Sequence, residues 1–393
     1  MAGIYIHIPF CVSRCIYCGF YSTLVSNNDK IRLNITDSYT DALCKEIEDR
    51  KFFLLNKNID KFPIINTIYF GGGTPSVLSY KQLEKILNQI FITYSKYLSD
   101  TLEITLECNP DDVSIEWVKH LKLLPINRIS MGAQTFNDKR LQFLKRRHKT
   151  SDLKTAINRL HSIGINNISV DLMFGFPEET LEEWAYDIDC LLELNVEHIS
   201  AYSLMYEEGT PLFKMLQQDK VREIDEELYR KMYSILLNKL STAGYEHYEI
   251  SNFARLDGYN KSIFRSQHNS SYWKDKPYLG IGAAAHSYNN IIRSWNIADI
   301  HKYIYNINNN ICYSESEVID ARTHYNDLVT TQLRTCEGLD TKKLSVKYRN
   351  YIMQNAKPLI EQGYLQLEQG FLQLTHSGIY LSDSIMSDLI MID

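Results

Sequence analysis

The first two-thirds of the chain alternates short, β-branched apolar runs with longer stretches of helical periodicity, and the alternation predicts strand then helix six times over. Runs at 3–7, 66–70, 102–106, 128–131, 167–172 and 198–203 have the length and apolar content of buried strands. Between them, helical spacing of apolar residues covers 37–53, 80–92, 114–121, 151–162 and 181–192. Strands separated by helices imply parallel βαβ units. Six of them suit a curved, partial (β/α)6 barrel better than a flat sheet. Ligands bind such folds at the carboxyl ends of the strands. The unusual residues fall there: Gly71, Gly72 and Gly73 after the second strand, Glu107 after the third, Gln134 after the fourth.

After a helical stretch at 223–243 the pattern changes. Residues 245–288 are rich in aromatics, Gly and His, and the small-residue run 278–287 is predicted to form a strand closing one side of the barrel, with His286 structural. A polar, Asn-rich segment at 304–313 reads as linker. From 320 the order becomes helix, helix, helix, hairpin (364–374) and a final helix, the outline of a winged helix. The expected α/β organisation is therefore a barrel with its closing strands over 1–300, a linker over 301–319 and a winged-helix-like module over 320–393. Winged helices often bind DNA. This one carries seven Lys/Arg against nine Asp/Glu and has no basic stripe for phosphate contacts, so a docking role is expected and no nucleic acid.

Composition narrows the classes further. An apolar fraction of 44% over 393 residues supports a sizeable core, and the net charge of −6 gives no general attraction to nucleic acid or anionic lipid. No apolar run approaches the length of a bilayer span, and the start lacks the basic and apolar regions of a signal peptide. A cytoplasmic protein without a direct membrane anchor is expected. In a reducing compartment the eight cysteines should form no disulfide framework. Five are scattered and read as small buried hydrophobes. The other three, Cys11, Cys15 and Cys18, crowd into eight positions.

A structural zinc site would want a fourth Cys or His close by, and position 20 is Phe20. Three thiolates suit a [4Fe-4S] cubane instead, holding three irons and leaving the fourth without a protein ligand. An open iron can chelate the amine and carboxylate of S-adenosylmethionine (SAM), whose sulfonium then takes one electron and releases a 5′-deoxyadenosyl radical.

CxxxCxxC with an aromatic, Tyr17, before its last cysteine resembles the radical SAM signature. Its company narrows the resemblance: Tyr5-Ile-His-Ile-Pro-Phe-Cys11, Tyr69-Phe-Gly-Gly-Gly-Thr-Pro-Ser76, Leu106-Glu-Cys-Asn-Pro110, Ser130-Met-Gly-Ala-Gln-Thr-Phe136 and Asp171-Leu-Met-Phe-Gly-Phe-Pro177. Together they are similar to the oxygen-independent coproporphyrinogen III oxidases and their HemW-type heme-chaperone relatives, over nearly the whole chain. The resemblance implies that Cys11, Cys15 and Cys18 hold the cluster. It implies that Tyr5, Tyr17, Gly72, Gly73, Thr74 and Glu107 surround SAM, with Gly72 at the methionine end and Glu107 on the amino group. Gln134, Arg146 and Asp171 match positions that hold a second SAM in the oxidase branch; alternatively they are polar residues of the barrel mouth. His268-Asn-Ser-Ser-Tyr272-Trp273 resembles the HNxxYW motif of the chaperone branch, with His268 as an axial iron ligand and Tyr272 and Trp273 as porphyrin walls.

Two functions stay open on this reading. One is oxidative decarboxylation of two coproporphyrinogen III propionates to vinyls. The other is a chaperone that binds heme and passes it to acceptor haemoproteins, with cluster and SAM in support. Phe20 where the oxidase branch resembles CxxxCxxCxC, a first cysteine so near the start, and the HNxxYW motif rank the chaperone first. Oxidase activity is then not expected.

Overall fold

The computed structural model describes residues 1–26, 28–55, 61–258 and 263–392. The six expected strands are β1 (Ala2–Ile8), β2 (Ile65–Gly72), β3 (Leu98–Cys108), β4 (Arg128–Gln134), β5 (Ile168–Phe174) and β6 (His198–Ser203). They are parallel and hydrogen-bonded in chain order. Crossing back between them are α1 (Asp29–Asp49), α2 (Tyr80–Tyr94), α3 (Ile115–Leu121), α4 (Thr150–Ser162) and α5 (Leu181–Glu193). Side chains alternate along the strands apart from irregularities at Ala2–Gly3, Ile65–Thr67 and Gly132–Gln134. One face carries Ile4, Ile6, Ile68, Phe70, Ile104, Leu106, Ile129, Met131, Val170 and Ile199, which pack into the main core with the helices. The opposite face is polar: Thr67, Tyr69, Glu103, Glu107, Arg128, Ser130, Ser169, Asp171 and Ser200. Polar residues on the concave face of a parallel sheet are what leaves room for a ligand.

Helix starts follow local capping chemistry. Ser79 and Gln82 form a reciprocal capping box on α2, and Thr180 and Glu183 do so on α5. α1 begins eight residues before the expected 37, because Asn28 accepts from the N–H groups of Lys30 and Ile31. Its first two turns are mostly exposed, so they carry no amphipathic signal.

The sheet continues past both ends of the six strands. α6 (Glu226–Thr242) leads into the hairpin β7 (Tyr245–Glu249) and β8 (Asn252–Arg255), which adds antiparallel to β6. On the other side, after α7 (Gln267–Trp273), β9 (Tyr278–Ile281) lies parallel to β1, as the closing-strand expectation requires. β10 (His286–Tyr288) and β11 (Ile292–Asn296) then add antiparallel. The expected linker is not a linker. Its residues form α8 (Ile300–Asn308) and the edge strand β12 (Ser314–Val318), which pairs with β11. Ile300, Tyr303 and Ile307 are buried at helical spacing beneath the Asn-rich surface. The Tyr303 hydroxyl donates to Glu46 at 2.5 Å. The same carboxylate, fully buried on α1, accepts from Asn296 at 2.7 Å, the Gly282 N–H at 2.8 Å and Arg50 at 3.2 Å. Among the described residues the sheet has twelve strands, with β12 and β7 at its two edges and not paired to each other.

The C-terminal module has its own core around Tyr325, Val329, Leu333, Ile352, Leu372 and Leu389. α9 (Ala321–Gln332) and α10 (Val346–Glu361) precede the hairpin of β13 (Leu365–Glu368) and β14 (Phe371–Leu374), and the pair Leu339–Asp340 makes a third strand. In place of a third helix before the hairpin there is a single 3-10 turn, Thr341–Lys343. The module packs on the barrel edge at β7: the Ile250 N–H donates to the Arg334 carbonyl and the Cys336 N–H to Tyr248, both at 3.1 Å. Arg334–Glu249 (3.2 Å), Arg265–Glu337 (2.5 Å) and Arg293–Asp327 ion pairs fasten the contact.

Candidate functional site

Beyond β1, residues Phe10–Cys11 pair with Thr23–Leu24, closing the cysteine loop at its base. The glycine turn after β2 is tied to it: the Gly73 N–H donates to the Ile8 carbonyl (2.9 Å) and the Thr74 N–H to that of Phe10 (2.8 Å). A Cβ on Gly73 would come within 2.8 Å of the Phe10 carbonyl oxygen and 3.0 Å of the Cys11 sulfur, and Gly72 has φ +112° with the His7 ring 2.6 Å from any Cβ. Only glycine allows this approach.

Cys11, Cys15 and Cys18 line one cavity of about 190 Å³ together with Tyr17, Gly72, Gly73, Thr74, Glu107, Gln134, Arg146 and Asp171. All three are free thiols. Among the described residues they are not drawn into an ion-holding group, but they share the lining of a single space. Thr74 Oγ1 donates to the Cys11 sulfur and Arg146 Nη1 to that of Cys15, each at 3.6 Å. Asn109 Oδ1 (2.7 Å) and the Gly132 carbonyl (2.6 Å) hold the other guanidinium nitrogen, Nη2, and Arg146 Nε is buried without a partner. Burial pushes the Cys11 thiol up and the Cys18 thiol to about 11, and the neighbouring thiols add to both shifts. Thiolates crowded in this way need a cation between them, which metal coordination provides.

Two carboxylates face the thiols. Glu107 accepts from Tyr69 (2.7 Å) and from the Gly72 N–H (3.2 Å), yet burial raises its pKa to about 7, with the Asp171 charge adding to the shift. Asp171 is pushed to about 6 by burial, against the hydroxyls of Ser200 and Ser130. Strand register brings the set together: Glu107 lies opposite Ser130, and Asp171 sits between Gly132 and Ser200. Desolvated carboxylates of this kind favour a cationic ligand, such as an ammonium or sulfonium. Gln134 ends β4 at φ +71°. A second cavity of about 370 Å³ continues from the first, sharing Tyr17, Cys18, Glu107, Gln134 and Asp171. Of the residues expected around SAM, Tyr5 alone is absent from both linings; its ring stacks on Tyr69 and it lines a third cavity.

Sequence reasoning missed Arg128. It lines the second cavity at 1% exposure, with Nε buried and unpartnered. A charge opening a strand that alternates polar Arg128 and Ser130 with apolar Ile129 and Met131 was the available signal. Tyr69 and Asn109, which orient Glu107 and Arg146, lay inside motifs already noted.

The HNxxYW segment is helix α7, capped by Ser266 and by Glu103, whose carboxylate accepts from the N–H groups of Gln267 (3.2 Å) and His268 (3.1 Å). His268 is not placed to bind iron. It is 1% exposed; Nδ1 bonds Thr67 Oγ1 and Nε2 bonds the Tyr272 hydroxyl, each at 2.7 Å, and the ring stacks on Tyr69. Burial lowers its pKa to about 3. A histidine this enclosed anchors the helix. Tyr272 and Trp273, by contrast, line the third cavity, about 600 Å³, with Tyr5, His7, Phe20, Tyr21, Tyr278, His286 and Tyr288. Phe20 lines all three cavities and is 69% exposed.

The sequence matches the Radical SAM superfamily over residues 5–191 and the HemN C-terminal domain over 319–381. It is 35% identical to the heme chaperone HemW of Bacillus subtilis (strain 168), covering 98% of each chain. Against the heme chaperone HemW of Lactococcus lactis subsp. lactis (strain IL1403) the identity is 32%, over 99% of this chain and 97% of the relative. In structure, coproporphyrinogen III oxidase (HemN) from Escherichia coli, described as a radical SAM enzyme, superposes with a TM-score of 0.80 at 20% identity, over 99% of this chain and 90% of that one. That likeness establishes the shared fold, including the C-terminal module.

Proposed function

This chain belongs to the HemW family of radical SAM proteins, and we propose that it binds heme and passes it to acceptor haemoproteins. The observation that carries the reading is similarity to named heme chaperones from end to end. An aromatic cavity of a size suited to a small-molecule cofactor, beside the thiol cavity, supports it.

In this reading Cys11, Cys15 and Cys18 hold a [4Fe-4S] cluster, and the donor set fits: three thiols in one cavity, with Thr74 and Arg146 donating to two of the sulfurs. Together with SAM, the cluster supplies one-electron chemistry at the sulfonium when bound. The Gly72–Gly73 backbone, Thr74 and Tyr17 shape the space next to the thiols. Glu107 offers a carboxylate to the SAM ammonium, and Tyr69 keeps it oriented. Gln134, Arg146 and Asp171 present an amide, a guanidinium and a second carboxylate to the rest of the nucleoside, without calling for a second SAM. Eight free thiols suit a reducing, cytoplasmic setting, and no described helix is long and apolar enough to cross a membrane.

The test is to reconstitute the cluster anaerobically, titrate the full chain with hemin, and then offer the loaded protein an apo-haemoprotein. Saturable, near-stoichiometric binding followed by transfer is expected. Absence of binding to cluster-loaded protein would overturn the proposal, as would vinyl product formed anaerobically from coproporphyrinogen III.

A further inference from the structure

The second cavity follows the strands away from the thiols. Tyr17 and Cys18 of the cysteine loop stand at one end of its lining and Arg128 at the other. Arg128 opens β4, the strand that Gln134 ends, so its backbone lies at the edge of the sheet opposite the cysteines. Ser130 and Ser169, paired across β4 and β5, fall between those two ends and line the same space. The volume, about 370 Å³, lies in the range of small-molecule pockets.

Arg128 is 1% exposed, and its guanidinium makes no hydrogen bond or ion pair among the described residues. The charged and titratable groups on its face of the sheet are committed elsewhere. Glu103 accepts from the N–H groups of Gln267 (3.2 Å) and His268 (3.1 Å). Glu107 accepts from Tyr69 and the Gly72 N–H, and Asp171 accepts from Ser130 at 3.5 Å. His198 bonds Ser169 through Nδ1 and Tyr248 through Nε2, each at 2.7 Å. Burial, with the Arg128 charge adding to it, keeps His198 and His268 neutral. A guanidinium taken out of water without a counter-ion is costly. Here it borders a cavity, where a ligand can supply the missing anion.

The rest of the lining sets the charge of that ligand. Glu107 and Asp171 border the same cavity. A dianion such as phosphate would therefore bring two charges to one guanidinium and face two carboxylates besides. A single carboxylate matches the guanidinium in charge, and the planar fork holds it through two parallel hydrogen bonds.

We propose that the second cavity binds a small monocarboxylate, its carboxylate paired with Arg128 and the rest of the molecule extending past Ser130 and Ser169 toward the cysteine loop. The assignment goes beyond the heme-binding reading and does not depend on it. It puts a second small molecule next to the space assigned to SAM, and it gives a task to the buried charge that the thiol site leaves unused.

The experiment is calorimetric titration of butyrate into the full chain, with the cluster reconstituted and SAM at saturation to keep carboxylates off the open iron. Butyramide, the uncharged isostere, and inorganic phosphate are titrated beside it. Each is expected to bind at least about tenfold more weakly than butyrate, as loss of a charge-assisted pair predicts. Arg128→Gln should erase the preference for butyrate over butyramide, and Arg128→Lys should keep part of it. Melting curves without butyrate separate this role from a purely structural one. Arg128→Gln is expected to melt at or above the wild type, because it removes an unpaired buried charge. Equal wild-type affinity for butyrate and butyramide would overturn the proposal, as would butyrate binding that survives in Arg128→Gln. Tighter binding of phosphate would overturn the ligand class, and a lowered melting temperature in Arg128→Gln would return the residue to the fold. Heme binding is measured separately, so each of these outcomes leaves that reading where it stands.

Discussion

Two neighbouring cavities share Phe20 as a common wall and are built on opposite principles. The thiol cavity is made by chain-local devices at the carboxyl ends of parallel strands: a cysteine loop, a glycine turn and two buried carboxylates, brought together by strand register alone. The aromatic cavity joins β1 and the cysteine loop, at one end of the chain, to α7, β9, β10, β11 and α9 near the other, and depends on how closing strands and C-terminal module are held. A site of the first kind is robust to changes in packing but intolerant of changes in its own residues. The second kind behaves in reverse: single wall residues matter less than the remote contacts that set the walls.

Substitutions can break that contrast. Cys15→Ala is expected to bring iron and sulfide after anaerobic reconstitution down to background while leaving hemin binding largely intact; loss of both would mean the cavities are not separable. Glu46→Ala removes the buried carboxylate that joins Arg50, Asn296, Tyr303 and the Gly282 N–H, leaving Arg50 without its counter-charge and with only the Gly280 carbonyl and Ser294, at a cost of about 3 kcal/mol or more in urea unfolding. Hemin affinity should fall far more than SAM affinity, because Glu46 braces the closing strands. His268→Ala strands Thr67 and the Tyr272 hydroxyl, and roughly 1–3 kcal/mol of stability should go with it.

Glu107→Gln sharpens the comparison through pH. Without cluster and SAM, folded Glu107 and Asp171 hold protons up to about 7 and about 6, whereas the unfolded chain releases them near 4.5 and 3.8. The folded state therefore binds more protons in that window, and stability falls as pH rises through it. Thermal melts of Glu107→Gln should show a shallower fall between pH 5 and 7 (about two units). SAM affinity above pH 7 should drop about tenfold or more, as loss of a charge-assisted hydrogen bond predicts. Unchanged SAM binding would remove Glu107 from the site. The smallest effect belongs to Phe20→Cys. At 69% exposure the change should cost within about 0.5 kcal/mol, and iron content should stay at the wild-type level, since a thiol there is not needed by the cluster.

Much of the thiol cavity was legible because spacing in the chain is spacing in space when residues share a loop or sit at consecutive strand ends. Cys11, Cys15 and Cys18 share a loop, and Gly72, Glu107 and Gln134 end consecutive strands of the βαβ alternation, whereas Asp171 was named only through the family resemblance. The aromatic site was half legible. Tyr272 and Trp273 could be named, but the motif's own histidine turned inward, where Thr67 from β2 was waiting for its Nδ1. Composition misled at 301–319, where Asn-rich surface residues hid the buried stripe of Ile300, Tyr303 and Ile307.

What the chain determined by itself was the six-fold strand and helix order, the thiol triplet and the family. Each depends on short-range periodicity or on residues a few positions apart, and such signals survive without knowledge of the fold. Only the tertiary structure decided that His268 is an anchor while His286 faces open space, that Phe20 stands between the cavities, and that the module's α9 completes the aromatic wall. Those facts depend on which side chains meet across β1, β2, β9 and α9, and a hydrogen bond or an open lone pair exists only once its partner, or the lack of one, is in place.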